Sequence, residues 1–136
     1  MIAFLEVELM TYIVLLLWIK IIVTLLTVVL PVAVLSKNRL AALFGFGDAQ
    51  DGFYRIYGVA ILALLFGYYT GIDLANNGVF PEKILWMGIV SNLGATLVLL
   101  FGKFSKRNWP AIAFFGSIAF ALIFMLLSPD LAMRTL

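Results

Sequence analysis

The chain has 136 residues, 65% of them hydrophobic and 12% charged, with a formal net charge of +2. A water-soluble core of that length could not hide so much apolar surface, so the surrounding medium is lipid, and the small net charge gives no reason to invoke nucleic acid. Cysteine and histidine are both absent, which excludes disulfides, thiolate chemistry, Cys-ligated metals, the usual zinc sites, bis-His haem and any imidazole-based triad or proton shuttle.

The first residues carry Glu6 and Glu8 in place of the Lys or Arg of a signal peptide. The apolar run that follows, residues 10–35, is also too long for a signal core, so it reads as a retained first span. About 20 apolar residues cross the hydrocarbon of a bilayer. This run exceeds that, so it must tilt, bend or protrude, and Pro31 is the natural bend because it lacks a backbone donor. Lys20, Thr24, Thr27 and Pro31 recur at i, i+4, i+7 and i+11, which puts them on one narrow face directed into the bundle. Each threonine can return its hydroxyl to a carbonyl one turn back. Lys20 has three readings: its stem snorkels to the interface, it faces a polar cavity and binds an anion, a carboxylate or a headgroup, or it hydrogen-bonds a neighbouring helix.

The first loop contains a short apolar stretch, residues 39–44, flanked by Lys37 and Arg39. It reads either as an amphipathic segment at the interface or as an ordinary connection. Asp48 with Asp51 resembles a helix cap. Asp51 and Arg55 at i, i+4 form an expected pair. The second span is expected over residues 53–72, followed by a turn at Asn77-Gly78 between Asp73 and Glu82. The third span, residues 84–102, follows Pro81. The fourth, residues 109–128, starts at Asn108 with Pro110 just inside it and ends at Ser128-Pro129. Tyr54, Tyr57, Tyr68, Tyr69, Trp86 and Trp109 lie near predicted span ends, where an aromatic belt would anchor the protein.

Together these runs predict an all-α fold, a single transmembrane domain built as a four-helix bundle over residues 1–136. Orientation follows from the basic residues. Lys37, Arg39 and Arg55 mark the first loop and Lys103, Lys106 and Arg107 the third, against only Lys83 in the second and Arg134 in the tail. The positive-inside rule then puts both termini outside; the membrane is expected to be a bacterial inner membrane.

Candidate ligand-binding residues are Lys20, Thr24, Thr27, Asn92 and Thr96. The third span gathers Gly88, Asn92, Ala95 and Thr96 on one side with Ser91 at its edge. Asn92 is the deepest amide and needs a partner in lipid, either another helix or a polar site shared with Lys20. Gly67 and Gly71 in the second span, and Ala113, Ser117 and Ala121 in the fourth, have the spacing that lets helices approach closely. These faces suit packing within the bundle, a second protein or a homo-oligomer. Phe114, Phe115, Phe120 and Phe124 read as lipid-facing or core filler. No catalytic or metal-binding residue and no cofactor motif is found.

The stretch from Leu43 through Gly47, and then Tyr54-Arg-Ile-Tyr-Gly-Val-Ala-Ile-Leu-Ala-Leu, resembles the first-loop-to-second-span region of small bacterial DoxX-like four-helix membrane proteins. The match is an Arg followed closely by Gly at the opening of an apolar span, and it covers about a quarter of the chain. The resemblance implies four spans and little about activity. The expected function is non-catalytic: an accessory or scaffold subunit of a membrane complex, or a binder of lipid or another apolar ligand. The alternative is a small oligomeric transporter or channel for an anionic or neutral solute, using Lys20 and Asn92.

Overall fold

The structure is a computed structural model that describes residues 10–44, 51–102 and 107–136. Glu6, Glu8, the Asp48 cap, Lys103 and Lys106 lie outside those residues, as does the side chain of Asp51 on which a pair with Arg55 depends.

Among the described residues seven α-helices follow in order: α1 (Tyr12–Thr24), α2 (Leu30–Val34), α3 (Lys37–Phe44), α4 (Asp51–Asn76), α5 (Glu82–Phe101), α6 (Trp109–Leu127) and α7 (Pro129–Ala132). Four stretches among the described residues are long and apolar enough to cross a membrane: Tyr12–Val34, Gly52–Asn76, Glu82–Phe101 and Trp109–Leu127. The chain is thus an all-α, four-helix integral membrane protein. The second span runs on to Asn76, past the expected end at residue 72, and takes Asp73 into its last turn.

The first span is interrupted by a π-helical turn, Leu25–Val29, between α1 and α2. Pro31 cannot donate to the carbonyl one turn back, and the wider i→i+5 pattern falls just ahead of it. The distortion therefore precedes the proline that a bend was expected to centre on. Its consequence is a change of period. From Lys20 onward the buried residues are Lys20, Thr24, Val28 and Val32, four apart, while Thr27 is exposed to the outside. The extra residue per turn rotates Thr27 off the inner face, and Val28 replaces it there.

Helix ends have identifiable causes. Thr11 caps α1 by accepting from Val14 N–H at 3.4 Å. Asn108 caps α6 by accepting from Ala111 N–H at 3.1 Å, with Pro110 in the first turn. Helix α4 closes in a Schellman arrangement: Val79 N–H donates to Leu74 O and Gly78 N–H to Ala75 O, with Gly78 at φ +74°. At the other membrane face, the Arg55 guanidinium donates to Val32 O, within α2, and, at 3.3 Å, to Leu35 O at its C-cap. A cation there satisfies acceptors that the helix leaves open.

Helices α5 and α6 pack along most of their length and α1 packs on α4, whereas α4 meets α5 over a shorter stretch. The glycines of α4 allow that contact. A Cβ on Gly67 would stand 2.8 Å from Met87 Cε, and one on Gly71 2.9 Å from Ile84 Cγ2. These two residues therefore serve packing inside the bundle. Ala113 and Ser117 instead face outward, and Ala121 is half-buried. Ile112, Ala119 and Leu122 form the inner face of α6.

Two apolar cores result. One, near the chain ends, gathers Ile13, Val14, Leu17, Ile72, Leu85 and Leu122 among others. The other, near the opposite face, joins Val32, Leu40 and Tyr54. Leu40 comes from α3, so the residue 39–44 stretch is a helix docked by one leucine. The tail returns to the start of the first span through Leu136 N–H to Met10 O at 3.0 Å and Tyr12 N–H to Arg134 O at 3.2 Å. An even number of spans brings the two ends to one side.

The aromatic belt is only part of what the tyrosines do. Tyr69, Trp86 and Trp109 are exposed as a belt requires, but Tyr54 and Tyr68 are buried and Tyr57 is half-buried. Tyr68 lies eight residues before the end of α4 and faces the bundle axis, because Gly88 on α5 leaves room for its ring.

Candidate functional site

The site lies between the two cores. Along the first span the inner face reads Ile13, Val14 and Leu17, then Lys20, Thr24 and Val28, then Val32. Its apolar ends pack and its middle does not close. A cavity of about 290 Å³ remains there, between the α1–α4 pair and the α5–α6 pair. That is just below the volume range usual for small-molecule sites, about 300–1,000 Å³.

Lys20 does not snorkel. Its residue is 6% exposed, and its ammonium donates to Asn92 Oδ1 at 3.1 Å. It also lies 4.8 Å from the centroid of the Tyr68 ring, within cation–π range. An ammonium only donates, so the Asn92 amide must turn its oxygen to Lys20 and its NH₂ away. That NH₂ donates to Gly88 O at 2.7 Å and to Ser91 Oγ at 3.2 Å, and makes a longer approach of 3.4 Å to Tyr68 Oη. Ser91 in turn donates to Gly88 O at 3.0 Å. Three helices thus meet in one polar cluster, with α1 supplying Lys20, α4 Tyr68, and α5 Ser91 and Asn92. Intramembrane hydrogen bonds of this kind are worth about 0.6 kcal/mol on average and up to about 2.

Gly88 is the seat of the cluster. A Cβ there would stand 2.7 Å from Leu122 Cδ1 and 2.9 Å from Tyr68 Oη. Only a residue without a side chain lets the phenol and α6 both close over α5 at this level.

The two threonines of the first span part company. Thr27 donates to Val23 O at 2.7 Å, as expected for a lipid-exposed hydroxyl. Thr24, 5% exposed and lining the cavity, does not return to its own helix: among the described residues its Oγ1 has no hydrogen-bond partner. Thr96 donates to Asn92 O at 2.8 Å, and its methyl lies on the side toward Gly116 and away from the cavity. Of the five candidates drawn from the sequence, the fold brings Lys20, Thr24 and Asn92 together and leaves Thr27 and Thr96 outside.

The remaining wall is mostly apolar, with Val28, Ala60, Ile61, Leu64, Leu65, Ala95 and Phe115 joined by Tyr57. Phe115 is therefore a cavity wall. Among the described residues Lys20 is the one charged side chain in the lining. Tyr68 is the residue that sequence reasoning missed. Its partner Tyr69 pairs edge-on with Trp18 at 6.2 Å on the outer surface, so a Tyr-Tyr pair at a span end splits between inside and outside. The signal for it was Gly67 and Gly71 on either side, spaced to bring this stretch of α4 against α5.

Among the described residues no group of three His, Cys, Asp or Glu side chains lies close enough to hold a metal ion. The cluster offers hydrogen-bond donors and one positive charge beside an apolar chamber, an arrangement suited to binding. No family model, no curated protein and no solved structure matches the chain.

Proposed function

We propose that this chain is a non-catalytic integral membrane protein that binds a lipid or other apolar ligand between its two helix pairs. The carrying observation is the composition of the cavity: apolar walls from all four spans, with Lys20, Tyr68 and Asn92 at one end and an unsatisfied Thr24 hydroxyl beside them. Pockets that hold small amphiphiles combine a mostly apolar lining with a few fixed polar groups. The alternative, a transporter or channel, draws less support, because Thr27 and Thr96 lie off the cavity and do not extend the polar line from Lys20. A role as accessory subunit draws on another surface, the outward Ala113 and Ser117 of α6, whose small side chains permit a second helix to approach.

The experiment is isolation in a mild detergent followed by native mass spectrometry. A retained amphiphile at stoichiometric level, lost in Asn92→Leu, is the expected result. A chain that stays folded, carries no ligand and takes up no apolar probe would remove the proposal. A stoichiometric protein partner that bound through α6 would instead favour the subunit role.

We further propose that the membrane is a bacterial inner membrane, and the basic residues in the first and third loops support an orientation with both termini outside. Because the chain has no cysteine, a single cysteine at Lys83 or at Arg107 reports its side directly. An impermeant maleimide should label the first in intact cells and not the second.

A further inference from the structure

We infer that the occupant is a single-chain amphiphile with a carboxylate head, the head seated between Lys20 Nζ and Thr24 Oγ1 and the chain lying along the wall of Val28, Ile61, Leu64 and Phe115. This rests on the ligand-binding reading above and specifies its chemistry. Three observations carry it. The Lys20 ammonium has three N–H groups. Asn92 Oδ1 takes one and the Tyr68 ring face occupies another direction, which leaves a donor without a protein acceptor among the described residues. One helical turn further along, the Thr24 hydroxyl is buried, lines the same cavity and has no partner there. Residues four apart on a helix are neighbours, so these two donors face one head group. Finally, Lys20 is the one charge among the described lining residues, and no Asp or Glu is among them to balance it.

A buried ammonium is costly unless an opposite charge and further hydrogen bonds accompany it. A carboxylate supplies the charge and accepts on both oxygens, which suits a point-charge ammonium plus a hydroxyl. The depth of the site favours one chain over two. Lys20 lies eight residues into the span, about 12 Å from Tyr12 along the helix. A two-chain phospholipid keeps its phosphate at the interface, whereas a fatty acid can enter head first, and about 290 Å³ has room for a head and part of one chain.

The test uses the full chain in zwitterionic phosphatidylcholine nanodiscs. Carboxyl-labelled dodecanoate is titrated and followed by NMR, with dodecanol and methyl dodecanoate as competitors. The expected result is saturable one-site binding of the acid, about tenfold tighter than either neutral analogue. Thr24→Val should weaken the acid by about fivefold and dodecanol by less, because a neutral hydroxyl is the weaker acceptor. Lys20→Arg should retain acid binding. Equal competition by the alcohol or ester would overturn the carboxylate assignment and leave an apolar-ligand site standing. No saturable binding of any of the three would remove both readings. Unchanged acid affinity in Thr24→Val, a variant that keeps the shape of the side chain, would also overturn the two-donor head site.

Discussion

Tyr68 Oη rests so close to Gly88 that a Cβ at position 88 would stand 2.9 Å from it, and 2.7 Å from Leu122 Cδ1 on the far side. The two contacts come from different helices, so a methyl group at 88 cannot be relieved by moving one side chain. Gly88→Ala should destabilise the folded protein by about 1–3 kcal/mol, in the range of overpacking in a filled interior. It should also push Tyr68 off the Lys20 ammonium. Thermal unfolding in detergent, compared with the control Gly94→Ala, checks this, because a Cβ at Gly94 meets nothing within 4 Å. Equal stability of the two variants would show that Tyr68 and Leu122 yield freely.

Lys20 and Asn92 should be coupled. Asn92→Leu leaves a buried ammonium without its amide acceptor, while Lys20→Met leaves an amide oxygen open. Removing both should cost less than the sum of the two single changes, with a coupling of about 1 kcal/mol. A double-mutant cycle of unfolding free energies measures it. Additive single effects would mean that the 3.1 Å contact contributes nothing net.

The π turn makes a different prediction. It holds one residue more than an α-helical turn would need to keep Thr24 and Val32 on one face. Deleting Leu26, an exposed residue within it, should let the turn close as an α-helix with the buried faces preserved. Deleting Leu16 within α1 should instead rotate Ile13 and Val14 off the core by about 100°. The first deletion is expected to fold and the second to lose stability severely. Comparable damage from both would mean that the wide turn is itself required.

Arg55 holds α2 to α4 through backbone carbonyls, Val32 O and Leu35 O. Arg55→Met should therefore release the end of the first span. The expected cost is about 1.5–3 kcal/mol, typical of hydrogen bonds from a charged group. Amide exchange should rise at Leu35 and Leu40 first, since both lie at this junction. Faster exchange confined to the opposite end of the bundle, near Tyr12, would contradict the assignment.

Much of this protein is written locally. Composition and segment length are enough to require lipid and four spans, because the hydrocarbon thickness sets a length that a chain of this hydropathy meets four times. Lys20 and Asn92 were legible as well, since a charge and an amide inside apolar runs stand out wherever they point. What the sequence alone could not decide was rotation. A regular helix puts Thr24 and Thr27 on one face, but the π turn ahead of Pro31 turns Thr27 outward and leaves Thr24 facing the cavity. Tyr68 and Tyr69 are adjacent and look alike as interface anchors, yet close approach at Gly67, Gly71 and Gly88 draws one ring to the axis and leaves its neighbour outside. Lipid is as apolar as a leucine-rich core, so burial in the bundle leaves little trace in residue type. Only the packing of one helix on another determines which polar side chains meet, and with them the cavity where Lys20 and Thr24 lie together.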